Sequence, residues 1–336
     1  MDVSGAGTFG AVHFTSSPSS SGQGSQNGGG DGGDRAVTIA GPTDVKLRVT
    51  GPLYGDALLF TAGLNLPTGK VGLTADETSA LQIIGAPALR MPVAALGTGT
   101  GVTLGVLRSF QGEDWSVALG ASVEQRSEYS PIALALAAGR AETKITPGTA
   151  AHITLGLDRT LGEARLSAMI VGDVFSKDQV RQSGANGTSG SDYQLGPQIT
   201  AFTRLDFGAS GWRESALSVA VRQRSQFTDA TGVKVTGSSG TYVEGALGGV
   251  LGGADGAGLI LSADARWQSG LKFTDALVGA AATAAGVTLG VERAGQSTLT
   301  RFYVHGQYGS FDTGKAKSTG FGATLGISMS ARREAK

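Results

Sequence analysis

The sequence predicts an all-β protein: a transmembrane antiparallel up-and-down β-barrel of about 14 strands, with 12 as the alternative count. Three observations predict it. Apolar and polar residues alternate with a period of two along most of the chain. The alternating runs are about 10 to 12 residues long, beyond the roughly 5–6 of a soluble strand and close to the roughly 9–11 of a tilted membrane strand. The connections take turns at being short and long.

In chain order, strands 3–14 and 36–49 carry the weakest alternation and bracket the Gly/Ser-rich stretch 15–35, read as a flexible loop. Strand 57–66 precedes a long, partly apolar loop at 67–97, and strand 98–110 follows it. In strand 115–127, Trp115, Val117, Leu119, Ala121 and Val123 share one face, while Ser116, Gly120, Ser122, Glu124 and Arg126 share the other. In 149–160, Ile153, Leu155 and Leu157 alternate with His152, Thr154 and Asp158. Strand 164–175 comes next, then 194–207, where Ile199, Ala201 and Leu205 alternate with Gln198, Arg204 and Asp206. In 214–225, Leu217, Val219 and Val221 alternate with Ser218, Ala220 and Arg222. Strand 240–251 is followed by 257–268, with Leu259, Leu261 and Trp267 opposite Ser262, Asp264 and Arg266. Strands 283–293, 298–309 and 319–331 complete the wall, and 332–336 is a polar tail of this single domain, 1–336.

Short connections fall at 50–56, 111–114, 161–163, 208–213, 253–256 and 294–297. Long ones fall at 15–35, 67–97, 128–148, 176–193, 226–239, 269–282 and 310–318. Short periplasmic turns and long extracellular loops are the outer-membrane pattern, and an even strand count puts both termini at the short-turn end. Aromatic residues at the two membrane interfaces are expected from Tyr54, Phe110, Trp115, Phe207 and Trp212 beside short turns and Trp267 near a long loop. Three short turns lack an aromatic, so the girdle is incomplete. The competing reading is a soluble β-sandwich or barrel, which has shorter strands and no reason for long and short loops to take turns. Closure also removes the edges that so many strands would otherwise expose.

The composition narrows the function classes. The 27 basic and 27 acidic side chains cancel, which argues against a nucleic-acid partner. There is no cysteine, hence no disulfide framework or thiolate metal site, and no cofactor is expected. The 55 glycines are about twice the usual share of roughly 7%, which disfavours helix. MDVSGAGTFGAVHF shows no charged region followed by an apolar one, so a signal peptide is either absent or removed.

Candidate chemistry is sparse. GSFDTGKA at 309–316 has Ala316 where a phosphate loop needs Ser or Thr, and no helix pattern follows, so it reads as a loop. GGDGGD at 29–34 matches one unit of a calcium repeat that needs stacked copies, leaving weak calcium binding by Asp31 and Asp34 as the lesser alternative to a surface loop. Among the histidines, His152 and His305 fall on polar strand faces. A barrel enzyme using His152 with Ser167 or Asp158 is the third-ranked reading, and no catalytic residue is assigned.

The polar face is the candidate lumen lining. It carries Lys46, Arg48, Arg126, Arg165, Arg204, Arg222, Arg224, Arg266 and Arg301, with Glu124, Asp158, Asp173, Asp206, Glu244, Asp264, Glu292, His152 and His305. Such charges line a path or pair across the wall, and their mixed signs argue against strong ion selectivity. Three loops are apolar for water-facing segments: 81–97, 130–139 and 276–286. They either fold into the mouth as an apolar binding site or extend the strands and pack as a lid.

VTLGV stands at 102–106 and 287–291, with variants at 117–121, 153–157 and 323–327. The spacing has no fixed period, so this is a wall unit: Leu104, Leu119, Leu155, Leu289 and Leu325 face out, and Thr103, Gly105, Thr288 and Gly290 face in.

GLNLPTGK at 63–70 followed by ALGTGTGVTLGV at 95–106 resembles a family of bacterial outer-membrane proteins, those grouped under meta-pathway phenol degradation. The resemblance covers residues 44–127, where a strand ends in a P-T-G turn and a Gly/Thr-rich stretch opens the next. The ending ISMSARREAK departs from the aromatic last residue common in such barrels. The resemblance implies a passive pore for small solutes, hydrophobic or aromatic ones included, in the outer membrane of a Gram-negative bacterium, with outer-membrane lipid and lipopolysaccharide as its surroundings. A structural or surface-interaction barrel without an open pore is the alternative.

Overall fold

The structure is a computed structural model that describes residues 2–6, 9–18, 35–54, 58–70, 74, 77, 97–136, 139–184, 187–252, 256–269, 281–295, 298–312 and 316–331. Side chains are described except at 2–18, 35–36, 54, 131–136, 139–143, 184, 316, 318 and 329–331. Almost all of it is strand. The wall segments are β1 (Asp2–Ala6), β2 (Phe9–Pro18), β3 (Arg35–Pro42), β4 (Val45–Tyr54), β5 (Leu58–Leu66), β6 (Gly101–Gln111) and β7 (Trp115–Arg126). Two loop strands follow, β8 (Tyr129–Leu136) and β9 (Gly139–Thr146), then wall strands β10 (Ala150–Leu161) and β11 (Ala164–Phe175). Loop strands β12 (Asp178–Gly184) and β13 (Gly187–Tyr193) precede β14 (Gln198–Asp206) and β15 (Trp212–Arg224). The wall ends with β16 (Gly240–Leu251), β17 (Ala257–Ser269), β18 (Ala281–Ala294), β19 (Thr298–Asp312) and β20 (Ala316–Ala331).

Sixteen segments form one antiparallel sheet. β1 and β2 are two parts of one wall strand, and β3 and β4 are two parts of the next, so the described residues make fourteen crossings. The sheet closes through β2 on β20, from Phe9 opposite Leu325 to Pro18 opposite Ala316. β3 then pairs with β2, and β4 with both β1 and β5. Closure satisfies the backbone groups that an open edge would leave bare in lipid. Asp2 lies opposite Thr50 and Ala331 opposite Thr298, so both ends of the described chain sit at the short-turn end.

The two faces separate as the alternation requires. Leu104, Leu119, Leu155, Leu289 and Leu325 are about half-exposed on the outside. Cross-strand pairing aligns them in apolar bands, such as Ala62, Leu104, Val123 and Ala151. Thr103, Gly105, Thr288 and Gly290 lie on the inner face.

Two long connections differ from the expectation of loops. β8 pairs antiparallel with β9 and β12 with β13, and β9 pairs with β12 to make a separate four-stranded sheet above the wall. The apolar stretch 130–139 therefore lies largely in β8 of this separate sheet, whereas Ala281–Gly286 of the stretch 276–286 opens β18 and extends a wall strand. Thr15–Pro18 likewise belong to β2 rather than to the loop 15–35. Residues 81–96, 276–280 and 332–336 lie outside the described residues.

Candidate functional site

The barrel interior gathers the polar face of every wall strand, and its charges fall into groups set by cross-strand rows. At the loop end, Lys46 and Arg48 of β4 and Glu124 and Arg126 of β7 surround a cavity of ≈ 150 Å³ with Asn65, Thr98 and Thr103. Arg126 Nε lies 2.6 Å from Glu124 Oε1.

Above this cavity sits Asp44, which the sequence reading missed. Its buried carboxylate accepts from Thr98 N–H and Oγ1–H at 2.7 Å each, from Gly69 N–H at 2.8 Å and from Asn65 Nδ2 at 3.0 Å. Burial raises its pKa, but the donors from Thr98, Asn65 and Gly69 outweigh it and hold the carboxyl below its ordinary value. The knot ties the P-T-G turn at 67–69 to the Gly-Thr-Gly stretch at 97–99. A Cβ on Gly69 would lie 2.7 Å from Asp44 Oδ1 and collide with Gly97 N, so only glycine fits.

One row lower, Ser122, His152, Asp173, Gln198 and Arg224 follow one another across five strands. Asp173 is buried and holds His152 Nδ1 at 2.7 Å and Gln198 Nε2 at 2.7 Å. The grouping of His152 with Ser167 or Asp158 does not form. Ser167 donates to Asp158 instead, and Arg165 Nη2 lies 3.2 Å from the same carboxylate. The period of two leaves His152 three rows from Asp158, too far for a shared hydrogen bond.

Mid-barrel, Arg266 is buried against Asp264 at 2.7 Å and Gln307 Oε1 at 2.7 Å. His305 Nδ1 lies 2.9 Å from Thr288 Oγ1, and its Nε2 is 3.8 Å from Asp264. Glu244 accepts from the Tyr242 hydroxyl at 2.5 Å.

At the short-turn end, Arg204 pairs with Asp206 at 2.7 Å. Glu292, fully enclosed, is clasped by Arg301 and by Arg213, and Arg301 also reaches Glu214 at 3.3 Å. Arg213 enters the interior where the β15–β16 register shifts between Trp212 and Glu214, an irregularity with no signal in the alternation. Beside this cluster Ala216, Ser218, Ala246, Gly248, Ser262 and Thr288 present small side chains, leaving a cavity of ≈ 330 Å³ bounded by Arg204, Glu214, Arg301 and Tyr303.

Of the interface aromatics, Phe110 and Trp115 are outward and about half-exposed at the short-turn end, and Trp267 is outward at the loop end. Phe207 and Trp212 flank the turn at 207–211 and are less exposed. The side chain of Tyr54 lies outside the described residues, as do Asp31 and Asp34. No metal-holding group of three His, Asp or Glu occurs among the described residues.

No family model matches the sequence, and no curated protein matches it. Solved structures share the fold, these two among them. The deltaS2 mutant of the TodX monoaromatic hydrocarbon channel aligns over 99% of this chain and 90% of its own, at 11% identity and a TM-score of 0.52. A FadL homologue of Pseudomonas aeruginosa aligns over 97% of this chain and 89% of its own, at 10% identity and a TM-score of 0.53. The chain has the closed barrel fold of these outer-membrane proteins.

Proposed function

We propose that the chain is a passive outer-membrane channel for small solutes, hydrophobic and aromatic compounds among them, and not an enzyme. The observation that carries this reading is the shape of the interior. Most lumen charges are lashed to the wall in pairs, and small residues beside them leave the ≈ 330 Å³ cavity. That volume lies at the lower end of the roughly 300–1,000 Å³ of small-molecule sites. The solute class draws support from the TodX structure, a monoaromatic hydrocarbon channel, and from the resemblance at 63–70 and 95–106 to the phenol-pathway proteins. Outer-membrane lipid and lipopolysaccharide would surround the apolar bands, and no nucleic acid is a partner.

A barrel without a through-pore is the second reading, favoured by a different observation. On the inner face of β16 to β19, Tyr242, Arg266, Gln268, Gln307 and Phe311 are all buried, so part of the lumen is filled. Proteoliposomes separate the two. The channel reading predicts protein-dependent uptake of toluene, and uptake no faster than through protein-free vesicles supports the closed barrel.

A further inference from the structure

The charges on the outward face of the wall are few and sorted by end. Among the described wall strands, those at the short-turn end are all arginines: Arg108 on β6, Arg159 on β10 and Arg293 on β18. At the loop end the outward charges are Asp312 and Lys317, which lie opposite each other and so offset. Among the described residues no carboxylate is paired with Arg108 or Arg159. The acids nearest to them in sequence, Glu113, Asp114 and Glu163, stand in the turns.

Arg108 starts well inside the apolar band. It shares its outward row with Leu119 and Leu155, and the next row toward the turn holds Phe110, Val117 and Leu157. Trp115 and Arg159 face each other one row further on. Two outward rows cover four residues, roughly 13 Å along a strand. The Arg108 guanidinium bends toward that end, its carbon 5.1 Å from the Phe110 ring centroid. A stem rooted among leucines with its charged head turned toward the interface is snorkelling. The Trp115 indole lies over Gly112, where an added Cβ would collide with it, and its Nε1–H has no acceptor among the described residues. Phe110 and Trp115 are about half-exposed and both arginines are exposed, so the four form an open patch across three neighbouring strands.

We propose that Arg108, Phe110, Trp115 and Arg159 bind the phosphate of an anionic glycerophospholipid in the periplasmic leaflet. A cation on the lipid side of a barrel is costly without a counter-ion, and the cost falls toward the interface. Short turns mark the periplasmic side, so the anions within reach of this face are lipid phosphates. A guanidinium fork matches phosphate oxygens in parallel hydrogen bonds, and the indole N–H supplies a further donor. The acyl chains then run along the Leu119 and Leu155 row. A headgroup with its own ammonium would bring a third cation against the two guanidiniums, so one without it is preferred. The site rests on the reading that lipid covers this face and is independent of whether the lumen conducts.

The test is quenching of tryptophan fluorescence by brominated lipid. The chain has 3 tryptophans, so Trp212→Phe with Trp267→Phe leaves Trp115 as the sole reporter. That barrel is folded into phosphatidylcholine vesicles containing rising shares of brominated phosphatidylglycerol or brominated phosphatidylcholine. Phosphatidylglycerol should be favoured at Trp115, and Arg108→Gln and Arg159→Gln should each lower the preference roughly fivefold. Arg108→Lys should keep part of it. With Trp212 as the sole reporter instead, neither arginine variant should change the quenching. Heat-modifiable gel migration confirms that each variant is a folded barrel, and either glutamine variant alone suffices if the other does not fold. Equal quenching by the two lipids, a preference unchanged in the folded variants, or one erased by excess inorganic phosphate would each overturn the site. No quenching of Trp115 by either lipid would remove the lipid-facing reading together with the site, whereas equal quenching removes the site alone.

Discussion

Asp44 takes both the backbone N–H and the hydroxyl of Thr98 at 2.7 Å, joining residues 54 positions apart at the rim of the barrel. The same carboxylate accepts from Gly69 and Asn65. Removing it in Asp44→Ala leaves several donors without an acceptor and should cost about 1–3 kcal/mol. The pH dependence has a definite sign. A carboxyl held below its ordinary value contributes stability at pH above about 4, lost as pH falls through its value in the folded state. Heat-modifiable migration should therefore show a midpoint that drops on acidification in the native protein and drops less in Asp44→Asn.

Tyr193 and Asp178 give an alkaline counterpart at the base of the loop sheet. Burial first, then the nearby Asp178 and Tyr129, push the Tyr193 hydroxyl up to about 12. A group whose pKa is raised by folding contributes stability below its ordinary value of about 10, lost as pH climbs through the folded one. Phenolate absorbance should show a late tyrosine step near pH 12 that vanishes in Tyr193→Phe. A Tyr193→Phe titration identical to that of the native protein would show that this hydroxyl is not held back.

Gly326 lies under the ring of Tyr303 on the inner face, where an added Cβ would come within 2.5 Å of ring carbons. Gly326→Val should destabilise the barrel by about 1–3 kcal/mol through overpacking. Tyr303→Ala placed in the same background should recover much of that loss, read as the unfolding midpoint in denaturant.

Leu155 sits in an outward band with Leu119, Ile170 and Ala201, about half-exposed in the isolated chain. If lipid covers that band, Leu155→Arg should cost about 2–4 kcal/mol in a bilayer. Ser218→Arg, on the inner face, should cost much less. Equal costs for the two would place water on both faces.

The wall was legible in the sequence because one force writes it. Lipid outside and polar groups inside impose a period of two on every crossing, which no helical stripe reproduces. In β10, Ile153, Leu155 and Leu157 lie out while His152, Thr154 and Asp158 lie in. The loop sheet was not legible by that rule, since β12 and β13 are polar on both faces and no lipid sorts their residues. A turn signal was present in the Asn-Gly pair at 186–187, with Gly187 at φ 114°, but a hairpin in water carries no burial pattern to support it. Pairing between charges was out of reach for another reason. Asp173 and His152 meet because their strands are adjacent in register, and register depends on turn geometry that composition does not reveal. Asp44 lies inside the predicted strand 36–49, two residues before Lys46 and on the same face, but alternation gives no sign that its carboxylate gathers donors from the 67–69 turn and the 97–99 stretch.

Single-channel recording in planar bilayers tests the central claim most directly. The account predicts discrete conductance steps from the reconstituted barrel, with aromatic solutes entering proteoliposomes made from the same preparation. A folded, heat-modifiable barrel that gives no conductance and admits no aromatic solute would contradict it.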